Sequence, residues 1–327
     1  MRAQIKTFVL WALLLFVMAT TVLADPPEND TVNISIVINT PPNITFILLD
    51  DNLDSPANEI DLIAATNQTV YCTFNVSEFD GTASINQSSL NVTITANVTG
   101  YTGTENVKSE FYLVWNDTTN VDACLNQSTG SLPNGGWNYY NCSISMPYFA
   151  ENGTWSCFAR VFDNTSISGN ATDTALVKQL IALNISRDSI VFGAIGLGQN
   201  TTSQDYNTTI ENIGNVPLSV QMTSHWNVSL PLNDTYAMTC TSGQINESDI
   251  LFDDDNTFTS NIGDTGNWTY LNSTSTLITS GIGLVEAANF SVPAYHTVFW
   301  GINLQKSIAL DPRGQCSGFL FINAIIA

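Results

Sequence analysis

The residues able to do chemistry are few. His225 and His296 are the two histidines of the chain. One stands beside Trp226, the other between Tyr295 and Thr297 in an alternating pattern, and both read as packing or surface positions rather than as a base or ligand. No Gly-x-Ser-x-Gly elbow, His-Glu-x-x-His helix or phosphate loop occurs. The densest carboxylate run is Asp249, Asp253, Asp254 and Asp255, followed by Asn256. Hard oxygens two residues apart, Asp253 and Asp255, could hold a structural Ca²⁺ on a loop, with Asp264 joining if the loop folds back. The run lacks the Gly and the distant Glu of an EF-hand loop, so a solvated acidic loop is the competing reading. Glycosidase carboxylates leave no local signature. Trp137, Trp226 and Trp268 lie near turns and could line a sugar-binding face, whereas Trp115, Trp155 and Trp300 fall in core-like strand patterns. The expectation is a protein without catalytic residues, and with no cofactor beyond that Ca²⁺.

Two other residue types carry covalent chemistry. The six cysteines, Cys72, Cys124, Cys142, Cys157, Cys240 and Cys316, form an even set without Cys-x-x-Cys, which favours disulfides over zinc. Four fall in the first half and two in the second, so Cys240 is expected to pair with Cys316. Of 36 asparagines, 23 begin an Asn-x-Ser/Thr triplet. Composition alone would give about 7. Among them are Asn33, Asn43, Asn67, Asn75, Asn91, Asn97, Asn152, Asn207, Asn227 and Asn272. A half-buried strand also puts Asn and Thr two apart on one polar face, as in Asn91-Val92-Thr93-Ile94-Thr95. Asn is nevertheless depleted in strands, and N-glycosylation of many of these sites is expected.

Both chemistries require export. Arg2 and Lys6, the apolar run from Phe8 to Met18 and the small-residue site Val22-Leu23-Ala24 read as a signal peptide over residues 1–24. An uncleaved anchor is disfavoured because the run falls short of about 20 spanning residues. Cleavage would leave 6 basic residues against 29 acidic ones, a net charge of −23. That excludes a general nucleic-acid binder. Charged residues make up only 11% and hydrophobic ones 44%, which excludes a disordered acidic tail.

Helical periodicity is scarce, and short apolar/polar alternations recur between Gly, Pro, Asn and Asp clusters. The expected fold is all-β, with two tandem antiparallel sandwiches over residues 25–183 and 184–327. Expected strands run from Val32 to Ile38, Thr45 to Leu49, Val70 to Val76, Leu90 to Val98, Ser109 to Trp115, Asn138 to Ser145 and Thr154 to Phe162. A further one, Leu176 to Ile185, should lead into the second domain. There the run from Ser189 to Gly198 should open the sandwich, followed by Tyr206 to Glu211. Tyr295 to Leu304 and Cys316 to Ile326 should close it.

Tyr71-Cys72, Trp115 and Trp155-Ser156-Cys157 resemble the Cys, Trp, Cys order of immunoglobulin-like sandwiches. The resemblance implies a Cys72–Cys157 bridge between sheets over Trp115, with a hairpin inserted around Asp80 to Asn106. Cys124 and Cys142 flank a Gly-rich loop and would staple a second hairpin. The second half, with Asn212-Ile213-Gly214-Asn215, is similar to sandwich domains of archaeal and bacterial cell-surface proteins and to camelysin-type fibre subunits. Taken together these readings imply a glycosylated secreted or surface structural and adhesion protein. Its expected partners are envelope proteins or glycans, with self-association and no nucleic acid. Strand addition by Asp30 to Ile38 is one assembly route, set against that segment being its own domain's first strand. The other reading is a secreted carbohydrate-binding module or glycosidase-associated protein.

Overall fold

The computed structural model describes residues 39–51, 57–96, 108–114, 123–132, 135–228, 235–253, 268–271, 278–289 and 292–327. The expected signal peptide over residues 1–24, the segment from Asp30 to Ile38 and Trp115 lie outside them. Thr40–Ala327 is one compact unit, separate from Met1–Asn39. Among the described residues no helix is long and apolar enough to cross a membrane. The unit is built of strands and a few single 3-10 turns.

Among the described residues the first half contributes nine strands: β1 (Asn43–Asp50), β2 (Glu59–Ile60), β3 (Asn67–Glu78), β4 (Ile85–Thr95), β5 (Glu110–Val114), β6 (Ala123–Leu132), β7 (Gly135–Pro147), β8 (Gly153–Asp163) and β9 (Ser168–Val177). They form two sheets, ordered β1-β3-β7-β6 and β2-β9-β8-β4-β5. All the pairings are antiparallel except the short parallel β2–β9 pair. Period-two patterning sets the inner faces: Val70, Cys72, Phe74 and Val76 of β3 meet Val92, Ile94, Trp155, Cys157, Ala159 and Val161 in one core. The Trp155 indole N–H donates to the Glu151 carbonyl at 2.7 Å, so the largest buried side chain leaves no polar atom unpaired. Cys72–Cys157 spans the sheets with Cα atoms 6.3 Å apart. Cys124–Cys142 joins facing residues of β6 and β7.

The second half adds β10 (Leu183–Ile185), β11 (Asn200–Asn212), β12 (Leu218–His225), β13 (Tyr236–Ser242), β14 (Gln244–Asn246), β15 (Ile250–Asp253), β16 (Trp268–Tyr270), β17 (Ile278–Leu284), β18 (Ala294–Asn303) and β19 (Arg313–Ile326). The sheets are ordered β10-β11-β18-β15-β16 and β14-β13-β19-β12-β17. β19 is long enough to pair with β12 over Phe319 to Ile326 and with β13 over Arg313 to Gly318. The core gathers around Trp300, whose indole N–H donates to Thr208 Oγ1 at 3.2 Å. Cys240–Cys316 links facing residues of β13 and β19, as expected.

Three expectations change. The stretch from Leu176 to Ile185 is not one strand. Strand β9 ends at Val177, and the buried Asn215 side chain clamps the next residues by accepting from Leu180 N at 2.6 Å and donating to the Lys178 carbonyl at 3.0 Å. Gly214 permits this close approach, because a Cβ there would lie 2.0 Å from the Leu180 carbonyl oxygen. Ser189 to Gly198 forms no strand either. Gly193 and Gly198 both take φ +75°, which breaks the extended run, while Ile190, Phe192 and Ile195 still pack on the core as irregular chain. Finally, Ile85–Thr95 is no inserted hairpin but a full member of its sheet, between β8 and β5.

The two pairs of sheets meet through Tyr148, Phe149 and Ala287, with Leu180 and Ile213 against them. A Lys108–Glu286 ion pair and an Asn152-to-Asn215 hydrogen bond of 3.2 Å flank this contact.

Candidate functional site

On the outer face of the β1-β3-β7-β6 sheet, alternation exposes what the core excludes. One cross-strand row reads Phe46, Asn75, Tyr139 and Ser128, and beside it Ser77, Trp137 and Gly130 face one another. Residues directly opposite stand about 4.5–5.5 Å apart at Cβ, so these groups share one surface. The Trp137 ring lies on Gly130: a Cβ there would come 2.3 Å from the indole. Glycine at this position therefore lets a large ring lie against the sheet. Thr45, Asn75, Ser77, Ser128, Leu132, Trp137 and Tyr139 line a cavity of about 610 Å³. That volume falls within the roughly 300–1,000 Å³ typical of small-ligand sites. Phe46 is 46% exposed at its edge. Three of the polar lining groups, Thr45, Ser77 and Ser128, are the hydroxyl residues of the triplets beginning at Asn43, Asn75 and Asn126.

Sequence reasoning placed Trp137 near a turn, and it proves to be half-buried within β7. Trp226 and Trp268 are also half-buried but belong to the second half. Tyr139 and Phe46 were missed, although their signal was present as aromatic residues at outward positions of alternating strands.

The acidic run does not converge. Asp253 is fully buried at the end of β15, while Asp254, Asp255 and Asp264 lie outside the described residues. Among the described residues no three His, Cys, Asp or Glu side chains are grouped to hold a metal. Asp249 accepts from the Ser307 hydroxyl, which in turn accepts from Asn246 N at 2.8 Å. Glu247 accepts from the Thr223 hydroxyl and from Ser224 N at 3.1 Å. These carboxylates tie strand ends together. His225 is buried, with Nδ1 accepting from Asn227 N at 3.2 Å, and His296 is half-buried in β18. The two are not brought together in one sheet.

Beyond these groups, an apolar cleft of about 480 Å³ opens in the second half between Ile190, Phe192, Phe319 and Ile322. In the first half, burial pushes the Glu78 carboxyl above its usual value, against hydrogen bonds from Asp80 N and the Thr40 hydroxyl that pull it down.

The asparagines divide sharply. Sixteen triplet asparagines lie among the described residues, and none is buried. Asn43, Asn67 and Asn152 are exposed, and Asn75, Asn91, Asn207 and Asn227 are half-buried. Asn33, Asn97 and Asn272 lie outside the described residues. The buried asparagines, Asn138, Asn212, Asn215 and Asn303, all lack the triplet.

No protein-family model matches the chain, and no curated protein sequence matches it. Among solved structures it is similar to dimeric latent PorU from Porphyromonas gingivalis, at 14% identity and a TM-score of 0.26, over 92% of this chain and 21% of that one. The Streptococcus agalactiae BspA C-terminal domain matches at 9% identity and a TM-score of 0.26, over 87% of this chain and 97% of that one. The Streptococcus pyogenes AspA C-terminal domain matches at 10% identity and 0.24, over 88% and 97%. Likenesses this distant carry no function across.

Proposed function

We propose that the chain is an exported, N-glycosylated surface protein, a non-catalytic scaffold of two immunoglobulin-like sandwiches that presents sheet faces and loops to other envelope components. The division of asparagines carries this reading. A structural Asn is chosen for what its amide satisfies inside the fold, as at Asn212, which donates to the Val216 and Val285 carbonyls. Among the described residues no triplet asparagine stands at such a fully buried place. Three disulfides add a second support, since such bonds persist in oxidising compartments.

For the first half the immunoglobulin-like reading rests on strand order. With Cys72 and Cys157 placing β3 and β8 in the positions of strands B and F, the two sheets read A-B-E-D and A′-G-F-C-C′. Trp155, two residues before the second cysteine, occupies the corner position and bonds back to the backbone as the family's Tyr does. The departure is strand C, which places Leu90, Val92 and Ile94 in the core and carries no Trp. The second half shares the two-layer build and keeps its bridge within one sheet.

Protease shaving of intact cells of the source organism tests this reading. Glycopeptides of the chain should appear in the shaved fraction, and an intracellular, unglycosylated chain would refute it.

A further inference from the structure

We propose that Asn75 carries an N-linked glycan whose first sugars lie in the slot formed by Phe46, Tyr139 and Trp137, so that the sugar completes the outer face of this sheet. The inference rests on the reading that the triplets are glycosylated.

Asn75 stands on β3 with Phe46 opposite it on β1 and Tyr139 opposite it on β7. A sugar leaving its side chain therefore emerges between two aromatic rings, with the Trp137 indole on the adjacent pair. A pyranose has an apolar C–H face and a rim of hydroxyls. Aromatic rings offer the first a flat partner, and Thr45, Ser77 and Ser128 offer the second hydroxyls around the cavity. An external sugar fits the slot less well. Triplets on β1, β3 and β6 place their hydroxyl residues around it, so glycans from three sides would compete for the space.

Timed endoglycosidase digestion of the folded glycoprotein, followed site by site by mass spectrometry, tests this. The Asn75 glycan should be released more slowly than the one at Asn164, an exposed residue in the β8–β9 turn. Phe46→Ser and Trp137→Ser should each speed release at Asn75 on the order of 2- to 10-fold, the range one aromatic contact supports, and leave Asn164 unchanged. Phe46 is an exposed edge residue, so its variant guards against loss of folding at Trp137. Equal release rates at both sites, or a bare Asn75 among occupied sites, would overturn the inference alone. A protein with no glycan anywhere would overturn the glycosylation reading itself. Saturable quenching of tryptophan fluorescence by free oligosaccharide on unglycosylated protein, lost in Trp137→Ser, would give the slot to an external sugar and also overturn it.

Discussion

The two halves solve the same problem differently. Each closes two sheets over one fully buried tryptophan, Trp155 or Trp300. The first half then joins its sheets through a buried disulfide, while the second places its disulfide between neighbouring strands of one sheet, with Cys316 exposed. Both halves also hold buried carboxylate ties, Glu247 and Asp249 in the second and Asp163, which accepts from Thr165 N and Ile167 N, in the first. One layer contact is thus covalent, and the other depends on packing and hydrogen bonds.

The largest effects should come from the tryptophans. Trp155→Ala and Trp300→Ala should each cost about 3–5 kcal/mol in urea unfolding. The two costs should be similar, because the Cys72–Cys157 and Cys240–Cys316 bridges close unfolded loops of comparable length, 85 and 76 residues, and restrain wild type and variant alike. A much larger loss at one tryptophan would show that the two cores do not rest equally on their buried indoles. A second comparison separates volume from hydrogen bonding. Thr208→Val preserves shape but leaves the Trp300 indole N–H without its acceptor, at about 1–3 kcal/mol. No side-chain change can do the same at Trp155, whose acceptor is a backbone carbonyl.

Mild reductant should sharpen the contrast kinetically. Non-reducing peptide mapping should show Cys240–Cys316 opening first and Cys72–Cys157 only with unfolding, since the latter pair has no exposed surface. Simultaneous loss would mean that burial does not set the order.

The smallest effect concerns Glu78. Its raised carboxyl favours the protonated folded state, so its contribution is fully present below the unfolded value, about 4.3, and is lost as pH rises through the folded one. Glu78→Gln should therefore gain on the wild type from about pH 4 to pH 7 in paired urea titrations. A difference independent of pH would show that Glu78 keeps its ordinary ionisation.

Alternation made most strands readable, and it failed where outward residues were small and polar. Strand β9, Ser168–Val177, buries only Ala175 and Val177, so its sequence looks like loop. It is held in part by Asp173, which accepts from Leu49 N at 2.9 Å across the sandwich. The opposite error came at Ser189 to Gly198, apolar enough for a strand but interrupted by glycines at positive φ. Spacing pointed to Cys240–Cys316 because the second half holds only that pair. It could not choose in the first half, where Cys142 faces both Cys72 and Cys124 on adjacent strands. The aromatic slot was illegible for a related reason. Phe46, Asn75 and Tyr139 come from three distant stretches, and only register brings them together.

The central claim is that the triplets are there to be glycosylated. Non-reducing glycopeptide mapping of the protein purified from its own organism tests it most directly. Occupancy should extend over the exposed triplets, including Asn43, Asn67 and Asn164, with all six cysteines in disulfides. Bare asparagines at those positions, with free thiols beside them, would contradict it.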